Sequence, residues 1–209
     1  MNVIIFGASG RTGRLIVEQA LEKGHMVTAF VRDPTAFSNG ASQSSAHPKL
    51  RVATGDALDA AAVADAIAGS QAVVSAIGPR PNEKSAVCST SVQNIIAGMK
   101  RQGVARLLCI TSSSDFRGFL FEQIMKPIFL RRAYEDKERQ EAQVFKSGLD
   151  WTIVRPGILR DGPRTGHYRL AVGTMPKAGW RVARADLAEF VVHELKRSDY
   201  VHQAITIAH

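Results

Sequence analysis

Seven residues near the start of the chain, Gly7-Ala8-Ser9-Gly10-Arg11-Thr12-Gly13, have the composition and spacing of an anion cradle. Glycines let a backbone close on a diphosphate, and the first turn of a following helix aims its N–H groups at the same charge. The order is G-x-x-G-x-x-G rather than G-x-G-x-x-G, so the surroundings must decide. An apolar run, Val3-Ile4-Ile5-Phe6, precedes the loop as a buried strand, and an apolar-periodic stretch from Leu15 to Leu21 follows it as a helix closed by Gly24. Strand, glycine turn and helix start together predict a bound dinucleotide, with Gly7, Gly10 and Gly13 making the close approach.

Further residues able to do chemistry stand where later strands end. Arg32 lies 19 positions past Gly13, where an NAD-binding chain places an acid for the ribose 2′-hydroxyl. An arginine there suits a 2′-phosphate, which favours NADP(H) over NAD(H), although Asp33 beside it pulls the other way. Gly55-Asp56-Ala57 has two readings, a turn that starts a helix or a contact to an adenine amino group. In Ile77-Gly78-Pro79-Arg80 the glycine permits backbone approach and Arg80 can neutralise phosphate. Thr111-Ser112-Ser113-Ser114 offers hydroxyls to a nicotinamide or a substrate carbonyl, or else caps the next helix. Arg155-Pro156-Gly157 shapes a pocket wall.

The elements that carry these residues alternate in type, which predicts an α/β, Rossmann-type doubly wound parallel sheet in one domain spanning 1–209. Strands are predicted at Val27 to Val31, Leu50 to Ala53, Ala72 to Ile77, Arg106 to Ile110, Trp151 to Val154 and near Ala204 to Ile207. Helices are predicted from Asp59 to Ala68, around Val92, Ile95, Ile96 and Met99 up to Gly103, over 118–146 with a break at Pro127, and around Leu187, Val191 and Leu195. Residues 38–46 read as a Ser/Asn/Gly-rich loop and 157–182 as an irregular excursion. Substrate-side elements are expected at about 115–133 and 157–182. Phe116, Phe119, Phe121, Met125 and Phe129 either roof an acceptor or pack a core.

Composition narrows the classes. The chain has 209 residues, 45% hydrophobic and 22% charged, as in ordinary globular domains. Its apolar runs are strand-sized, so no membrane span is expected, and the first strand begins too early for a cleaved signal. Two cysteines, Cys88 and Cys109, make no disulfide framework, which points to the cytoplasm. The net charge of +8 comes from scattered Lys and Arg without a nucleic-acid-binding signature, so it is read as attraction for an anionic cofactor and substrate. The six histidines show no metal-ligand spacing, and neither G-x-S-x-G nor a P-loop occurs.

The chain resembles the atypical short-chain dehydrogenase/reductases described as NAD(P)H-binding or NmrA-like, and within them the biliverdin-IXβ reductase/flavin reductase branch. The resemblance runs end to end through GASGRTG (7–13), FVRDP (30–34), GDALD (55–59), AIGPR (76–80), ITSSS (110–114), SGLDWTIVRPG (147–157), DGPRTGHY (161–168) and RVARADLAEFVVHEL (181–195). It implies NADPH and hydride transfer to a flavin, quinone or linear tetrapyrrole by a monomer. By position it assigns Ser9, Arg11 and Thr12 to the phosphate loop, Arg32 to the 2′-phosphate, and Asp56 with Ala57 to the adenine. Ile77, Gly78 and Arg80 match the cofactor wall, and Thr111, Arg155 and Pro156 are counted with the cofactor-binding residues from their places at the strand ends. Ser112 matches the active-site serine, and Arg181 falls where a basic residue meets substrate carboxylates.

Two departures stand out. Gly157 occupies the place of a histidine in that branch. Tyr134 precedes Lys137 by three positions, where mainstream relatives use four. The pair can still meet on one helix face and act in catalysis, or Tyr134 packs and Lys137 is a surface charge paired with Glu141. An NADP(H)-sensing regulator without turnover and a sugar epimerase-like enzyme are the rival functions.

Overall fold

The computed structural model describes residues 1–40, 47–78, 86–112, 128–174 and 180–209, apart from the side chains of 39–40 and 128–133. The first half is a regular alternation: β1 Asn2–Phe6, α1 Arg11–Glu22, β2 Met26–Val31, α2 Pro34–Gly40, β3 Leu50–Thr54, α3 Ala60–Ile67 and β4 Ala72–Ser75. Then come α4 Val87–Gln102, β5 Arg106–Ile110, α5 Ile128–Phe145 and β6 Asp150–Pro156. Short strands β7 Ile158–Arg160, β8 Arg169–Val172 and β9 Arg181–Ala183 lead to α6 Arg184–Arg197 and β10 Gln203–Ala208.

Eight strands form one sheet in the order β3-β2-β1-β4-β5-β6-β10-β8, parallel except for the antiparallel edge pair β10–β8. β1 lies between β2 and β4, in register at Ile4↔Thr28 and Ile4↔Val73. Its residues alternate between two cores: Val3 and Ile5 face the layer of α1 and α6, and Ile4 and Phe6 face the opposite one. Burial on both faces accounts for the unbroken apolar run. The chain winds from β1 outward through β2 to β3, then restarts at β4 and winds the other way. Such a reversal opens a crevice at the C-terminal ends of the strands.

Most boundaries follow local chemistry. Asp59 caps α3 by accepting from the N–H groups of Ala61 and Ala62, and Gly103 ends α4 at φ +69. The break predicted at Pro127 lies outside the described residues, which resume at Ile128 within α5. Among the described residues no helix is long and apolar enough to cross a membrane.

Two expectations are corrected. Residues 34–40 form α2, because Asp33 accepts from the N–H of Ala36 at 3.0 Å and Pro34 supplies the helix-ready φ at its start, with Phe37 buried beneath. Among its described residues the excursion 157–182 contains three short strands, β7, β8 and the start of β9. β7 and β9 pair with each other, and β8 pairs with β10 more than thirty residues later. Strands this short carry no readable alternation, and their partners are distant.

Candidate functional site

The glycine loop is the tightest backbone junction on the crevice. Gly7 sits at φ +76, and a Cβ there would lie 2.7 Å from the carbonyl oxygen of Ala76 behind β4. A Cβ on Gly13 would lie 2.1 Å from the Gly7 oxygen. The loop closes through Gly10 N–H to Gly7 O at 3.0 Å. α1 then starts with no capping side chain and no acid in its first turn, so its positive end is not neutralised internally.

A cavity of about 500 Å³ opens over this turn. Gly7, Ser9, Gly10, Arg11, Thr12, Gly13, Arg32, Asp56, Ala57, Ile77 and Gly78 all line it, so the residues predicted for diphosphate, 2′-phosphate, adenine and wall converge. A backbone cradle that side chains would fill, beside two arginines, fits a nicotinamide dinucleotide. Asp56 lines the cavity, and its Oδ1 accepts from Leu58 N–H at 3.0 Å, as the turn reading expects. Asp33, which clouded the choice of cofactor, is engaged as the cap of α2.

Other predicted residues lie elsewhere. Arg80 falls outside the described residues, as do Ser113, Ser114, Phe116, Phe119, Phe121, Met125 and the side chain of Phe129. Thr111 and Arg155 do not line the cavity and are tied to Glu141. Glu141 of α5 accepts from Thr111 Oγ1 at 2.6 Å and from Arg155 Nε and Nη2 at 2.9 and 2.6 Å. Pro156 stays in the sheet, paired with Ile207, because β6 runs two residues further than predicted. Ser112 is half-buried and does not line the cavity.

Lys137 is no surface charge. It is 8% exposed, and Nζ donates to the carbonyls of Ile77 at 3.0 Å and Ile110 at 3.4 Å and to Gln140 Oε1 at 3.0 Å. Glu141 is committed to Arg155, and Lys137 braces the cavity wall from behind. Tyr134 is half-buried on the same helix, outside the cavity lining. Both cysteines are free and buried, and burial pushes the Cys109 thiol up to about 12, which excludes it as a nucleophile.

Arg181 is exposed on β9 and does not line the cavity. Arg184, the first residue of α6, does, together with Leu159 of β7. Asp161 receives Arg184 Nη1 at 2.7 Å and Arg11 Nη1 at 3.4 Å, bridging the mouth of the site. Arg184 stands in the RVARADLAEF segment, yet which of its arginines faces inward depends on where β9 becomes helix. Gly157 also has a physical reason: a Cβ there would lie 2.8 Å from the Trp180 oxygen, which leaves no room for a histidine on this backbone.

Asp186 fastens this rim to α6. Its oxygens accept from Thr165 N–H at 2.7 Å, Gly166 N–H at 2.9 Å and Thr165 Oγ1 at 3.0 Å, and His209 Nε2 lies 2.8 Å away. Burial works against its charge, but these hydrogen bonds outweigh it and hold the carboxyl below the usual aspartate range. A carboxyl with a lowered folded pKa contributes stability above its unfolded value, and that contribution disappears as pH falls. Urea midpoints are therefore expected to drop below about pH 4, with a shallower drop in Asp186→Asn. Parallel acid limbs in the two proteins would refute the tie.

Over residues 7–198 the chain matches the NAD(P)H-binding family. It belongs to that family. An uncharacterized chloroplastic protein of Arabidopsis thaliana is 32% identical over 220 residues, covering 98% of this chain and 75% of that protein. Among solved structures, ChuY, an anaerobilin reductase of Escherichia coli O157:H7, is similar with a TM-score of 0.77 at 25% identity, over 100% of this chain and 97% of its own. A short-chain dehydrogenase/reductase of Veillonella parvula in complex with NADP shares the fold, with a TM-score of 0.80 at 15% identity over 100% and 94% of the two chains. For this NAD(P)H-binding family member the matched segment contains the whole crevice, from the glycine loop to Arg184.

Proposed function

We propose that the protein is an NADPH-dependent reductase that passes hydride to a flavin, a quinone or a linear tetrapyrrole. The observation that carries the choice of NADPH is Arg32 on the cavity at the end of β2, with the neighbouring acid engaged in capping α2. When bound, NADPH supplies the hydride. The glycine loop and the start of α1 hold its diphosphate, Arg32 its 2′-phosphate and Asp56 its adenine, while Ile77 and Gly78 form the wall that orients it and excludes water. Ser112 and Lys137 do not line the described cavity. That suits acceptors whose reduced products take protons from solvent, flavins and quinones first. The name of the Escherichia coli neighbour supports a tetrapyrrole as the third class.

Loss of reduced-nicotinamide absorbance with FMN, a quinone or biliverdin tests the reading. Turnover with any of them supports it, and tight NADPH binding with none of them used would make the protein a sensor. Arg32→Glu is expected to weaken NADPH binding by roughly 10- to 100-fold, the worth of a charge-assisted contact, with little change for NADH. Equal losses for the two nucleotides would remove the basis for the preference.

A further inference from the structure

We propose that the protein carries a second anion site at the opposite end of the sheet, a cavity for a small phosphate or phosphate-ester anion. The cavity, about 580 Å³, lies where the chain enters β1 and β2, against the C-terminal half of α6. Five of its lining residues are basic types, Lys23, His25, His193, Lys196 and Arg197, and no Asp or Glu lines it among the described residues. Lys49 stands outside the lining, its Nζ donating to the Gly24 oxygen at 3.3 Å. Of the lining residues, Arg197 is paired with Asp199 at 3.2 Å, while Glu22, next to Lys23 in the chain, receives Arg164 at 3.0 Å. Basic side chains that outnumber the carboxylates around a concave site raise the local concentration of anions.

His25 gives the second, independent observation. It is 6% exposed, and its Nδ1 is buried with no hydrogen-bond partner. A buried polar atom left unmatched costs free energy that a ligand accepting from it would recover. Burial, then the amino group of Met1 and Lys196, hold the imidazole below its usual pKa against a hydrogen bond to the Met1 backbone that raises it. A bound anion reverses the electrostatic part of that shift. The position excludes confusion with the nucleotide crevice. α1 has its N-terminus at the glycine loop and its C-terminus at Lys23, and its 12 residues separate the two by roughly 18 Å. The concave shape of the basic lining fits a discrete anion rather than the flat surface of a membrane.

Titration of the isotope-labelled chain with sodium pyrophosphate, followed by amide NMR, tests the proposal. Saturating shifts are expected at residues 23–25 and 193–197, on a binding curve separate from that of residues 7–13. The His25 imidazole pKa is expected to rise by about 1 unit, a readout in the native chain that needs no variant. Lys23 and Lys196 are exposed, so Lys23→Glu with Lys196→Glu is expected to lower the distal affinity at least tenfold while leaving the response of residues 7–13 in place. Shifts confined to residues 7–13, an unmoved His25 pKa, or a distal response that survives the charge reversal would overturn the site. So would cosedimentation with phosphatidylglycerol vesicles in a chain that shows no distal pyrophosphate response.

Discussion

Gly13→Ala is expected to abolish nicotinamide-nucleotide binding and to lower the melting temperature by roughly 10 °C. A methyl at residue 13 would stand 2.1 Å from the Gly7 oxygen, 2.8 Å from the Gly7 carbon and 2.9 Å from Ala8 Cα. All three atoms are backbone, so no side chain can swing aside. Either α1 moves out or the turn after β1 does, and that turn is pinned because Gly7 already lies against the Ala76 carbonyl. Overpacking of a rigid junction costs about 3 kcal/mol or somewhat more, which in a chain of this length corresponds to a shift of that size. Binding falls by at least about 100-fold, because the amides that meet the diphosphate leave their common focus. Gly162→Ala is the control, since the added methyl would meet Ala183 Cβ at an ordinary 3.7 Å, away from the cavity. Calorimetry with NADPH and NADH, alongside thermal melts, checks both effects. An affinity within threefold of the parent in a folded Gly13→Ala protein would mean that the diphosphate is held elsewhere.

The contrast between those two glycines shows what a sequence can and cannot tell. The GASGRTG loop was legible because its function needs missing side chains at fixed spacing between a strand and a helix, and all of that is local. The parallel sheet was legible for the same reason: strands buried on both faces must be apolar without interruption, as at Ile4-Ile5-Phe6. Asp33-Pro34 carried a local signal for α2, a capping acid followed by a proline at the first helical position, while only the loop at 38–46 was read from that stretch. Arg155 was different. Its partner Glu141 lies on another element, and before the helix and strand are docked a strand-end arginine looks as suited to phosphate as to a carboxylate. Arg181 and Arg184 differ only in which side of a three-residue strand they fall. Burial of the Lys137 amine was beyond reach too, because its acceptors are main-chain carbonyls at the ends of two other strands.

Those carbonyls make Lys137→Met the second large effect. Nζ reaches the oxygens of Ile77 and Ile110, the exits of β4 and β5, while the adjacent Asp136 accepts from Cys88 N–H at 2.8 Å, Ser89 N–H at 3.2 Å and Ser89 Oγ at 2.5 Å. Two consecutive residues of α5 thus hold the start of α4 and the back of the wall that Ile77 presents to the cavity. Methionine keeps the stem but leaves two carbonyls and Gln140 without their donor, a loss of about 2–3 kcal/mol or roughly 4–12 °C in melting temperature. With the wall loosened, affinities for NADPH and NADH should fall together. Tyr134→Phe, made in parallel, should leave stability near that of the parent. A proton-donating lysine predicts the opposite pattern: unchanged melting and unchanged nucleotide affinity, with kcat lost and its pH profile flattened. Melting curves, nucleotide titrations and a kcat–pH profile on the same Lys137→Met preparation separate the two roles, and a stable, tight-binding, inactive variant would return Lys137 to the chemistry.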